Sequence, residues 1–155
     1  ESKDLSCEVE VLLAEARGAY FRSKGYEDPF RDLASSEDYF AVRARFENKT
    51  AEHTLTMMPG SVMFENCTVR DETHLYQLFY LKSDGEKRLE AAGAVLYLKQ
   101  LDLPPGKWIE RLLLFQYDDP YRTKRMRLII SNLLLGDKQH DIEFPFLVKY
   151  KKEKV

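Results

Sequence analysis

Apolar and polar side chains alternate with a period of two along most of the chain, which is the spacing of half-buried strands. In Tyr39–Phe46, the residues Phe40, Val42, Ala44 and Phe46 fall on one face, with Arg43, Arg45 and Glu47 on the other. Helical spacing would scatter the two arginines into the apolar stripe. The same alternation groups Val9, Val11 and Leu13, and separates Met126, Leu128 and Ile130 from Arg125 and Arg127. Leu75–Tyr80 is apolar at both parities, which predicts a strand buried on two sides. The last element turns Ile142, Phe144, Phe146, Val148 and Tyr150 inward and Glu143, Leu147 and Lys149 outward. Pro145 within it marks an edge strand. Val95–Leu98 and Trp108–Tyr117 are two further runs rich in apolar and aromatic residues.

Turn chemistry separates these runs at Asn48-Lys-Thr50, Pro59-Gly60, Ser83-Asp-Gly85, Pro104-Pro-Gly106, Asp118-Asp-Pro120 and Gly136-Asp137. About seven to nine short strands with polar turns favour a sandwich or barrel over an alternating helix–strand fold. Residues 22–38 form the one long irregular stretch, with room for a short helix, and Glu86–Ala94 has the composition of a helical turn. No internal repeat or linker breaks the chain. One domain over 1–155 is expected, with 1–6 and 151–155 as flexible ends.

The order of elements resembles the telokin-like, immunoglobulin-like domains of bacterial extracytoplasmic proteins and lipoproteins. The likeness runs over roughly residues 38–132. It rests on Phe40-Ala-Val-Arg-Ala-Arg-Phe-Glu-Asn48, the turn Leu103-Pro-Pro-Gly106, and Leu112-Leu-Leu-Phe115 before Asp119-Pro120. The resemblance implies an all-β, immunoglobulin-like sandwich of two antiparallel sheets. It further implies adhesion, scaffolding or ligand capture outside the cytoplasm, and it transfers no catalytic residues. An antibody-type core is not expected, because Trp108 follows Cys67 in the wrong order for the Cys–Trp–Cys arrangement.

Composition narrows the function classes. The 155 residues carry 24 basic and 26 acidic side chains, a net charge of -2, spread along the chain. No concentrated basic face is expected, and so no nucleic-acid partner. The lysines at 149, 151, 152 and 154 read as a solvated tail, with a membrane-surface or acidic partner as the alternative. No stretch approaches the roughly 18 apolar residues of a membrane span. The chain begins at Glu1 rather than Met, which suits a trimmed or mature segment, so a missing leader says nothing about its compartment.

Cys7 and Cys67 are either one disulfide, worth about 4 kcal/mol across so long a loop, or two unrelated thiols. Cys7 after Leu5-Ser6 also suits a lipid anchor, except that residues 1–6 would then have been removed. His53, His74 and His140 lie in separate segments without zinc spacing. Neither a Gly-x-Ser-x-Gly elbow nor a catalytic cysteine signature occurs. These absences predict no enzyme and no cofactor. Asn48-Lys-Thr50 and Asn66-Cys-Thr68 are two sequons.

Three binding expectations remain. Aromatic residues are 12% of the chain, and Tyr20, Phe21, Tyr26, Phe30, Tyr39, Tyr117 and Tyr121 sit where loops or outward positions are expected, beside basic residues. That pattern suits contact with a protein partner; covering the open ends of the core is the bland alternative. A calcium-dependent, C2-like module would instead gather Asp28, Asp71, Asp118 and Asp119 around a hard cation. An apolar-ligand or lipid carrier would use Met57, Met58, Met63 and the phenylalanines.

Overall fold

The computed structural model describes residues 4–34, 36, 39–117 and 125–147. In chain order its elements are β1 (Leu5–Leu12), α1 (Ala14–Ser23), β2 (Tyr39–Asn48), β3 (Leu55–Met57), β4 (Val62–Phe64) and β5 (Cys67–Val69). There follow α2 (Glu72–Phe79), α3 (Gly85–Val95), β6 (Leu101–Leu103), β7 (Trp108–Tyr117), β8 (Arg125–Leu135) and β9 (Lys138–Leu147). The first sheet has the order β1-β2-β7-β5. In the second, β8 pairs with β9 on one side and with β4 and β3 on the other, and β6 lies beyond β3. All these pairings are antiparallel, so the expected two-sheet sandwich is present, with a helical layer added to it.

The period-two pattern explains why the sheets pack. Phe40, Val42, Ala44 and Phe46 of β2 join Leu113 and Phe115 of β7 against Met57, Phe64, Leu128 and Ile130 of the second sheet. Phe40 lies opposite Phe115 in register, and the ring of Phe64 meets both edge-on at 5.4 and 5.3 Å. Removing so buried a ring costs about 3–5 kcal/mol. The other parity of the first sheet is also buried at one end. Tyr39, Ala41, Leu112 and Leu114 pack under Phe21 of α1, Leu75 and Phe79 of α2, and Ala91, Ala92 and Val95 of α3. A sheet covered on both faces reads as a continuous apolar run, and Leu112–Phe115 is one.

In β8 the inward parity changes midway. Met126, Leu128 and Ile130 point inward before a register shift, and Leu133 and Leu135 after it. Asn132 sits in the shift with φ +56°, a left-handed conformation that asparagine tolerates better than most residues. Among the described residues β9 pairs only with β8, so Pro145 lies on an edge as expected, and Ile142, Phe144 and Phe146 pack half-buried on the core. Val148, Lys149, Tyr150 and 151–155 lie outside the described residues.

Several expectations are corrected. Leu75–Tyr80 is not a strand but most of α2 and its cap. The Asp71 side chain caps α2 by accepting from the His74 amide at 3.0 Å, and Leu75 and Phe79 point inward one helical turn apart. Residues 14–23 form α1, with Glu15 in its first turn and Arg22 in its last, complementing the helix dipole. The helix ends where Tyr26 N–H donates to Phe21 O and Gly25 N–H to Arg22 O, with Gly25 at φ +86°. Val95 ends α3 and Leu96 makes only a single bridge to Leu112, so Val95–Leu98 is no strand. Leu5 and Ser6, expected in a flexible end, begin β1, and Leu13 lies beyond that strand, exposed.

Candidate functional site

The aromatic positions expected to form a binding surface separate into different environments. Phe21 and Phe30 are fully buried under the helical layer, which corrects their assignment as contact residues. Tyr39 is buried too, stacked on Phe30 at 5.3 Å. Tyr20 and Tyr26 are half-buried. Tyr117 ends β7 opposite Cys67, and Tyr121 lies outside the described residues. Phe21, Phe30 and Tyr39, with Tyr20 and Tyr26 packed against them, cover the core, the bland alternative, because α1 and its Gly25 turn fold the segment back onto the first sheet.

Exposed aromatics occur elsewhere. The half of the first sheet not covered by helices presents Glu8 and Glu10 of β1, Arg43 and Arg45 of β2, and Trp108 and Glu110 of β7. Tyr20 O–H donates to Glu110 Oε2 and Arg43 Nη1 donates to Glu110 Oε1, both at 2.7 Å, while Arg43 Nε reaches Glu10 at 3.2 Å. Burial would raise the Glu110 pKa, yet the hydrogen bonds from Arg43 and Tyr20 and the Arg43 charge hold it below the usual carboxylate range. Burial, and then the Glu110 carboxylate, push the Tyr20 phenol well above its ordinary value. This network fixes one border of the face.

Arg45 behaves differently. Its neighbours across the strands are Glu8 and Glu110, but it makes no ion pair with a described residue. Its guanidinium instead lies 4.0 Å from the ring centroid of Trp108, which is 56% exposed. A rigid sheet thus holds a large indole and a stacked guanidinium, with donors unspent, at an open surface.

A second exposed aromatic group sits on α2. Tyr76 and Tyr80, one helical turn apart, stack at 5.5 Å with 13° between their planes, and are 58% and 55% exposed. Sequence reasoning missed this pair, because Leu75–Tyr80 fits alternation as well as helical spacing. The signal that could have found it is Asp71 ahead of the i, i+4 pairs Leu75/Phe79 and Tyr76/Tyr80.

The calcium set does not assemble from the described residues. Asp28 Oδ2 accepts from Arg17 Nε, and its Oδ1 accepts from the Phe30 amide, while Asp71 caps α2. Asp118 and Asp119 lie outside the described residues. No group of three or more His, Cys, Asp or Glu side chains suited to a metal occurs among the described residues. His74 Nε2 is 2.7 Å from the Tyr39 hydroxyl.

Of the two alternatives for Cys7 and Cys67, the structure shows two separate thiols and no disulfide. They lie on β1 and β5, three strand spacings apart at about 4.8 Å each, beyond the roughly 7 Å Cα separation a disulfide can span. Met57 fills the core while Met58 and Met63 are exposed, so the three methionines do not line one cavity. Of the two sequons, Asn48 is buried and Asn66 is exposed in the β4–β5 turn with φ +58°.

No protein-family model matches the chain, and no curated protein matches it. Among solved structures it is similar to a FixG-related protein from Vibrio parahaemolyticus, at 10% identity and a TM-score of 0.45, over 96% of this chain and 100% of that one. No helix among the described residues is long and apolar enough to cross a membrane.

Proposed function

We propose that this chain is a non-catalytic, extracytoplasmic binding domain of immunoglobulin-like type that engages a protein partner through the open half of its first sheet. The observation that carries the proposal is the Arg45–Trp108 stack, with its ring centroid 4.0 Å from the guanidinium carbon. Tryptophan and arginine are the residues most enriched at the energetic centres of protein interfaces. Here the pair rests on sheet backbone, so little side-chain freedom remains to be lost on binding. Glu8 and Glu10 on one side and Glu110 with Arg43 on the other give the polar border typical of such a surface. The extracytoplasmic and immunoglobulin-like parts rest on the sequence resemblance over residues 38–132.

A photo-crosslinking amino acid placed at Trp108, and separately at exposed Leu134 on the second sheet, tests this in cells of the native source. A discrete protein adduct is expected from position 108 and not from 134. In the otherwise native sequence, Trp108→Ala and Arg45→Ala each weaken binding to that same protein by about tenfold or more. Adducts of equal yield from both positions, or none from 108, reject the proposal.

A further inference from the structure

We propose that the groove beside Tyr76 and Tyr80 binds a neutral oligosaccharide. The groove encloses about 550 Å3 between the end of α2 and the start of α3, and shares no residue with the Trp108 face. That size lies within the ~300–1,000 Å3 range of small-ligand sites. Its two tyrosine rings are more than half exposed, although Leu75 and Phe79 beside them in the same helix are buried. The helix is therefore anchored by one stripe and offers the next as an aromatic platform.

The polar lining determines the ligand class. Lys82 and Lys87 stand beside Glu86 and Asp84, so the lining carries both signs of charge rather than a field of one sign that would demand a charged ligand. Asp84 is spent on Arg88 and Arg31, at 3.0 and 3.1 Å, which holds the turn in place. Lys82, Glu86 and Lys87 form no ion pair with a described residue, leaving two ammonium donors and one carboxylate acceptor open beside the rings. A sugar ring matches this set. Its C–H face lies on an aromatic surface, and each hydroxyl both donates and accepts. An apolar ligand would leave the charged groups unpaired as water is displaced, at a cost in affinity.

The site is also prearranged. A Cβ on Gly85 would run into the Phe79 carbonyl oxygen, so the α2–α3 turn takes this close approach only with glycine. Arg88 donates to the carbonyls of Pro29 and Arg31 at 2.8 and 2.9 Å, fixing α3 to the segment that follows α1.

The test uses the whole chain with cellohexaose, maltohexaose and chitohexaose as soluble probes, and an array of defined neutral and acidic glycans. Saturation-transfer NMR at about millimolar ligand detects affinities as weak as sugar sites usually show. At least one neutral glycan is expected to bind and to shift the Tyr76 and Tyr80 ring resonances. Tyr80→Ala should weaken it by about tenfold or more, the scale of one lost stacking platform. Tyr80→Phe, which keeps the ring, should stay within about threefold of the wild type. Tyr80 is exposed, so both variants should keep the wild-type melting temperature. Failure of every probe and array member to bind, binding only by sulfated or sialylated glycans, or undiminished binding by a folded Tyr80→Ala variant overturns the proposal.

Discussion

The Nε of Arg17 donates to Asp28 Oδ2 across 3.0 Å, and both side chains are almost wholly buried. The rest of the guanidinium is also committed. Nη1 donates to the carbonyls of Ser36 and Tyr39, Nη2 donates to Ser36 Oγ, and the group lies over the Phe30 ring. One arginine therefore ties α1, the 26–36 segment and the start of β2 together.

Breaking this pair from one side leaves an uncompensated buried charge. Arg17→Met and Asp28→Ala are each expected to lower unfolding free energy by about 3–5 kcal/mol. Arg17→Lys keeps the charge but loses the planar fork, so it should recover only part of that loss. Urea denaturation midpoints measure all three. A loss below about 1 kcal/mol for Asp28→Ala would show that the pair is dispensable.

Asn48 closes the opposite end of β2 in a different way. Its Nδ2 donates to the carbonyls of His53 and Leu103, at 2.7 and 3.0 Å, and its Oδ1 accepts from the Thr50 amide and hydroxyl. Asn48→Asp is nearly isosteric, yet it removes both donors and turns an oxygen toward two carbonyls. Leaving buried groups unsatisfied costs about 1–3 kcal/mol each. A loss near 3 kcal/mol is expected in the urea midpoint of Asn48→Asp, and a near-neutral result would mean that water replaces the amide.

The parts of this fold that were legible in the sequence are those where one physical constraint acts alone. β2 has a buried face and a partly polar face, so Phe40 to Phe46 alternate cleanly. Pro145 could be placed on an edge because it lacks an N–H. Leu75–Tyr80 misled because its five apolar or aromatic residues around Gln77 satisfy period two and period 3.6 alike, and the arbitration came from Asp71, outside the run. Phe21 and Phe30 misled for another reason. Phe30 lies against the guanidinium of the buried Arg17, and a buried arginine leaves no periodic trace. The exposed Trp108 was equally hidden, since only register shows that helices leave that end of β7 uncovered.

His74 introduces a pH dependence whose sign can be worked out. Partial burial, reinforced by the charge of Arg70 and opposed by Asp71, lowers its pKa from the ordinary 6.5. The unfolded chain therefore holds more protons than the folded one as pH falls below that value. The contribution is fully present above pH 6.5 and is lost as pH falls through the lowered folded pKa. The neutral ring that hydrogen-bonds the Tyr39 hydroxyl is the form the fold favours. In His74→Gln the melting temperature should fall less steeply below pH 6.5 than in the wild type. Identical slopes in the two proteins would remove His74 from the account.

Cys7 allows a chemical test of how tightly the edge of the first sheet is closed. The residue lies opposite Phe46 in register and faces the core between the sheets. Burial, and then the Glu8 carboxylate, push its thiol pKa up to about 12. The thiolate is the attacking species, so at pH 8 the folded protein should present almost none at this position. Treated with iodoacetamide under native conditions, Cys7 should stay unmodified over a period in which urea-unfolded protein is fully alkylated. Peptide mass spectrometry separates its labelling from that of Cys67. Since no disulfide joins the two, prior reduction should not change either rate. Rapid native labelling of Cys7 would mean that β1 opens away from β2 far more readily than its eight paired residues imply.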